Sequence, residues 1–202
     1  MKINNYLLKC CNINLELNII YDKLYDYVMS KLYFKIYPFD EDCEDISLNE
    51  KILEYSWIEP NNLMKRNYNY NFELVLPEIT KYFNLIDIEK SPRKKIMNLN
   101  KIFGSINNLL NFSQNQKLIG IDDQMPLFHY IFLKSKPKNM LSNYKFMVLY
   151  NEEKIKKNEG NYLAQLNSII QFTVNLKSHD LLNISDKEFN KNCRLSIIEN
   201  SK

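Results

Sequence analysis

Apolar residues along this chain recur in steps of three and four. Ile13, Leu17, Ile20, Leu24 and Tyr27 trace one face of a helix that continues through VMSKLYFKIY and stops before Pro38. The acidic stretch DEDCED after it reads as a loop. Leu48, Ile52 and Tyr55 predict a second helix to about Trp57, ended by Pro60, and residues 61–71, NNLMKRNYNYN, read as a polar connector. Ser91-Pro92 is a helix start, because serine can accept a bond from a free backbone N–H and proline suits the first turn. The stripe beyond it is Ile96, Leu99, Phe103, Ile106 and Leu110, with Asn98, Lys101, Ser105 and Asn108 off it. SQNQK, residues 113–117, forms the next connector.

The later part of the chain has the same rhythm. Proline suits a first helical turn and not an interior, so Pro126 places the start of a helix through Leu127, Phe128, Ile131 and Phe132 near Asp123. It stops at Lys136-Pro137, and another helix covers roughly Met140 to Tyr150. The charged loop NEEKIKKNEG leads to a helix with Tyr162, Leu166, Ile169, Thr173 and Leu176 on one face. Ser185 and Glu188 have capping-box spacing, with Ile184 and Phe189 at the staple positions, so a last helix starts at Ser185. Each stripe is expected to be a core face. The sum is an all-α chain.

Composition sharpens this in a few places. Three glycines in 202 residues are too few for a phosphate-binding loop or for the turns of a sheet protein. A net charge of +3, from 27 basic and 24 acidic residues, gives no reason to expect nucleic acid or an acidic membrane, and the many Lys and Asn residues read as solvated faces. Cys10 and Cys11 are adjacent, Cys43 and Cys193 stand alone, and no CxxC occurs, so neither zinc nor a disulfide framework is expected. Free thiols point to a reducing, cytoplasmic setting. Glu16 and several asparagines interrupt the N-terminal apolar residues, against a secretory signal, and no apolar run approaches the roughly 20 residues a bilayer needs. His129 and His179 read as structural histidines, and no nucleophile–histidine pair can be argued.

The stretch GIDDQMP, Gly120 to Pro126, carries the chemistry. Two carboxylates, Asp122 and Asp123, precede the apolar run LFHYIFL. One aspartate suffices to cap free N–H groups and complement the positive end of a helix dipole. The other is surplus, held at a rigid turn and free to face outward.

The order of these pieces resembles the vacuolar protein sorting nine (Vps-nine) domain, the exchange module that activates Rab GTPases of the Rab-five class. The resemblance is carried by LYDYVMSKLYFKIYPFDED, LNEKILEYSWIEPNNL, SPRKKIMNLNKIFGSINNLL, GIDDQMPLFHYIFLKSKPKNMLSNYKFM, NEGNYLAQLNSIIQF and NISDKEF, in the family's order over most of residues 20–190. It implies a helical bundle (residues 1–90) packed against a layered helical exchange core (91–180), with a C-terminal helix and tail (181–202). It also implies a Rab-five-class GTPase as partner, no cofactor, no resident metal, no nucleic acid, and at most peripheral recruitment to an endosomal membrane. In the family, the aspartate four residues before the proline projects toward the partner's nucleotide site; here that is Asp122, which leaves Asp123 as the helix cap. Pro126, Asn161, Tyr162, Ala164 and Gln165 fall at or beside the positions that hold the partner.

One departure matters. The family's second signature reads Gly-Tyr-Tyr, one residue, then Thr. This chain has Gly160, Asn161, Tyr162, Leu163 and Ala164 there, so the first tyrosine is Asn161 and the threonine is Ala164. Tyr162 is turned toward the core by its helix stripe. The alternative to an exchange factor is therefore an exchange-deficient relative that binds a GTPase, or another endosomal protein, as a scaffold.

Overall fold

A computed structural model describes residues 13–37, 43–64, 72–113, 121–150 and 157–200. Every regular element among them is helical: α1 (Ile13–Ile36), α2 (Glu44–Glu54), α3 (Pro60–Leu63), α4 (Phe72–Ile88), α5 (Pro92–Ser113), α6 (Ile121–Ser135), α7 (Met140–Leu149), α8 (Lys157–Asn175), a 3-10 turn (Ser178–Asp180) and α9 (Asp186–Asn200). The expected connectors at 114–117 and 151–156 and the acidic residues 40–42 lie outside the described residues, as do Cys10 and Cys11.

Helix α5 is central and packs on α4, α6, α7 and α8. Its stripe is the core: Ile96, Leu99, Phe103, Ile106 and Leu110 are all buried. Phe128 and Phe132 of α6 meet it together with Phe83 of α4, and Leu166, Ile169 and Thr173 of α8 close the other side. The same core takes in Leu48, Ile52 and Tyr55 from α2 and Phe189 and Cys193 from α9. The last helix is capped as its spacing predicts. The Glu188 N–H donates to Ser185 Oγ at 3.3 Å, and the Glu188 carboxylate accepts the Ser185 N–H at 3.1 Å.

Several expectations are corrected. The stripe of α1 is not a core face: Leu17, Ile20, Leu24 and Tyr27 are 52%, 60%, 58% and 60% exposed. The helix docks instead through Tyr25, Met29, Tyr33 and Ile36, which with Tyr37, just past its end, form a second, smaller cluster with Phe146 of α7. Asn98, which lies off the α5 stripe, is nonetheless buried. Ser91 precedes α5 as expected, but its hydroxyl donates to Asp26 of α1 at 2.5 Å and so joins two helices. Residues 60–63 are a helical turn and not connector, and Asn62 is buried there, bonded to the backbone of Leu182. Helix α4 has no counterpart in the sequence reading. It carries Pro77 in its interior, where proline removes one hydrogen bond of the ladder.

Two charged residues, one expected in a loop and one on a solvated face, are in fact buried. Asp45, from the acidic stretch, lies inside the first turn of α2 and accepts the N–H groups of Leu141 at 2.8 Å and Ser142 at 3.2 Å. Those are the second and third N–H groups of α7, whose own preceding residue, Asn139, makes no side-chain cap. Lys95 of α5 is fully buried, and its ammonium donates to the Ile86 carbonyl at 2.6 Å and Asn143 Oδ1 at 2.7 Å. The rings of Tyr33, Tyr37 and Phe146 lie 5.4, 5.5 and 5.9 Å from it. Burial pulls its pKa down to about 8, against the opposing pull of Asp87 and Glu89.

Candidate functional site

Helix α6 begins at Ile121, two residues before the expected start, so Asp122 and Asp123 are its second and third residues. Both sit where a carboxylate complements the dipole of the helix. Their side chains lie outside the described residues. Pro126 is then the sixth residue and interior, contrary to expectation. Having no N–H, it leaves the carbonyl of residue 122 without its usual intrahelical donor. The first turn is correspondingly short of backbone bonding.

The remainder of α6 is firmly held. Gln124 Nε2 donates to Asn107 Oδ1 of α5 at 2.6 Å, and Met125 packs against the main core. Leu127 to Leu133 are buried without interruption, and Phe128 meets Phe103 edge to face with centroids 4.4 Å apart. His129 is buried too. Thr173 Oγ1 donates to the Ile169 carbonyl at 2.8 Å, so in its 3.1 Å contact with His129 Nε2 the hydroxyl accepts and the ring nitrogen carries the proton. Burial drives the pKa of His129 down to about 3, which keeps the imidazole neutral. The histidine is a tie between α6 and α8, the structural role its sequence position indicates. His179, by contrast, stands exposed on the 3-10 turn.

Helix α8 carries the other half. It begins at Lys157, three residues before Gly160, so the expected loop is shorter and Gly160 is helical. Asn161 and Ala164 are exposed, and with Gln165 they share one face at helical spacing. Leu163 and Leu166 are buried behind them. Tyr162 is half-buried and stacks on Phe103, ring centroids 4.3 Å apart and planes within 8°. The ring is thus part of the packing, as its stripe position indicates. Gln165 is half-buried, and its Oε1 has no hydrogen-bond partner among the described residues. Helices α5, α6 and α8 pack on one another, so the Asp122 turn and the Asn161–Gln165 face are mounted on one core.

Glycine is unneeded at the two described positions. Gly104 of α5 and Gly160 of α8 have no positive φ, and nothing lies within 4 Å of where a Cβ would be at either. Each weakens its helix without a conformational reason inside the chain. Among the described residues, no group of three His, Cys, Asp or Glu side chains could hold a metal ion, and no helix is long and apolar enough to cross a membrane.

Residues 76–178 match the family model of the Vacuolar sorting protein 9 (VPS9) domain. The chain belongs to that family. It is 24% identical over 180 residues to the Rab5 GDP/GTP exchange factor of Homo sapiens, a match covering 85% of this chain and 36% of the relative. It is 26% identical over 187 residues to Vacuolar protein sorting-associated protein 9A of Arabidopsis thaliana, covering 88% and 35%. The protein of the same name from Oryza sativa subsp. japonica is 26% identical over 191 residues, covering 90% and 39%. The chain thus spans just over a third of the length of these relatives. The VPS9 family match takes in α6 and α8 whole, and with them every residue singled out for the site.

Proposed function

We propose that this chain is a guanine nucleotide exchange domain that binds a Rab5-class small GTPase and promotes release of its GDP. The observation that carries this reading is its membership of the VPS9 family together with the place of Asp122, in the opening turn of a helix locked to α5 and α8. Residues 91–180 carry the exchange core, with the preceding helices as its support. Such a domain acts on endosomal trafficking from the cytoplasm, with at most peripheral recruitment to the membrane.

The chemistry requires no bond to the nucleotide to be made or broken. A small GTPase holds GDP through a phosphate-loop lysine and Mg²⁺. The Asp122 carboxylate offers that lysine a substitute for the phosphate, and its charge disfavours the metal–nucleotide arrangement. Tighter binding to the nucleotide-free GTPase than to the loaded one loosens the nucleotide by reciprocity. A thousandfold faster release needs about 4 kcal/mol. A single charge-assisted contact supplies roughly 1.5–3 kcal/mol, so burial of the partner's switch regions supplies the rest. Bare helix surface at Gly104 and Gly160 suits a partner that approaches closely.

A second reading is favoured by Asn161 and Ala164. Both are exposed and lack the family's hydroxyls, which suits a scaffold that binds without exchange.

Fluorescent-GDP release against a panel of Rab GTPases tests the first reading. Asp122→Ala is expected to abolish most exchange with little change in melting temperature. Equal rates for wild type and Asp122→Ala would exclude the mechanism. Asn161→Tyr with Ala164→Thr is expected to raise the rate about tenfold on a generic Rab5-class partner, from two regained hydrogen bonds. No exchange on any Rab, before or after that restoration, would favour the scaffold.

A further inference from the structure

We propose that Asn107 is a positioning residue for nucleotide exchange, acting through Gln124 on the turn that carries Asp122. The inference rests on the exchange reading and adds to it the element that keeps the two halves of the site in register.

Three observations carry it. First, the opening turn of α6 is short of backbone bonding, because Pro126 cannot donate to the carbonyl of residue 122. Second, a side-chain bond from this turn reaches another helix: Gln124, two residues after Asp122, donates to Asn107 Oδ1 at 2.6 Å, and both residues are half-buried. Third, Asn107 lies one helical turn beyond Phe103, whose ring stacks on Tyr162 at 4.3 Å. Residues four apart share a face of a helix. One face of α5 therefore holds Gln124, next to the aspartate half, and Tyr162, next to Asn161. The stack fixes α8 and the amide bond fixes the start of α6. The spacing between Asp122 and the Asn161–Ala164 face is set by α5.

The expected consequence is functional before it is global. Loss of the amide bond leaves the buried residues from Leu127 onward in place and lets the Asp122 turn wander. A carboxylate misplaced by an ångström forfeits its contact with the partner's lysine.

The experiment measures GDP release from a responsive Rab at saturating exchange factor for wild type, Asn107→Ala, Gln124→Ala, Asp122→Ala and the pairs with Asp122→Ala. Each amide variant is expected to lower the maximal rate about three- to tenfold, the worth of one partly buried hydrogen bond. Either change should have no further effect once Asp122 is alanine, whereas a general loss of structure would add to it. The reciprocal swap, Asn107→Gln with Gln124→Asn, keeps an amide pair across the gap and is expected to recover the rate. Amide hydrogen exchange over residues 122–125 should quicken in Asn107→Ala and slow again in the swap. A responsive wild type with Asn107→Ala at the same rate overturns this inference alone. So does an Asn107→Ala effect that persists undiminished in the Asp122→Ala background. A wild type that releases GDP from no Rab overturns the exchange reading, and this inference with it.

Discussion

Helices α1 and α5 carry stripes of the same period and meet opposite fates. Ile96, Leu99, Phe103, Ile106 and Leu110 are buried at the centre of the molecule, while Leu17, Ile20, Leu24 and Tyr27 lie more than half exposed. Helix α1 is held by another of its faces, through Tyr33 and Tyr37 against Phe146 and the caged Lys95. It is also tied by Ser91 to Asp26 and by an ion pair between Arg93 and Asp22. Periodicity thus reports that a segment is helical. It does not report which face finds a partner, since that depends on what the rest of the chain presents.

The largest expected effect tests this contrast directly. Phe103→Ala should cost about 3–5 kcal/mol in urea denaturation, while Leu24→Ala should stay within about 0.5 kcal/mol. A loss of over about 2 kcal/mol at Leu24 would mean that the α1 stripe is covered in solution.

Acid should act on the main core. His129 stays neutral in the fold down to about pH 3, against an ordinary 6.5, so between those values the unfolded chain binds a proton that the fold refuses. Stability is then lost as pH falls through that window, by at most about 1.4 kcal/mol per pH unit from this group. His129→Gln should flatten the acid limb relative to wild type.

Mild alkali should act on the attachment of α1. The folded pKa of Lys95, about 8, lies below its ordinary 10.5, so above pH 8 the unfolded chain holds a proton that the fold has released, and stability rises. The rise should end near pH 10, because burial holds Tyr33 up at about 12 and raises Tyr37 as well, so unfolded phenols ionise first. Lys95→Met should remove the rise between pH 8 and 10 in a pH series of melts.

The smallest effect is expected at Gly160. Its helical backbone and open surroundings mean that Gly160→Ala should gain about 0.5–1 kcal/mol. If the bare surface serves the partner, the same change should slow GDP release.

How far the sequence is legible depends on the reach of each interaction. The α5 and α8 stripes and the Ser185–Glu188 box are local, and they stand as the spacing indicates. Lys95 and Asn143 are 48 residues apart, and Asp45 and Leu141 are 96 apart. Nothing beside either charge marks it as buried. Helix α4 is hidden by Pro77, which reads as a breaker although the helix continues around it. In the site, sequence physics indicates a carboxylate pair at a helix start, and the resemblance to a known family supplies its partner. Asn107 and Gln124 are invisible to both, because neither residue type marks a bond that exists only once two helices lie side by side.

The bond from Asp45 bears on what can stand alone. The segment 76–178 that matches the family model leaves Asp45 behind, and with it Leu48, Ile52 and Tyr55. Cut out at those borders, α7 would keep its sequence and lose the carboxylate that terminates it, and the centre of the molecule would open along the side that α2 closes. Such a fragment should be expressed as an aggregating or partly folded species, while a fragment begun at residue 43 should melt cooperatively. The first border of the family-model match and the first border of the folding unit differ here by some thirty residues.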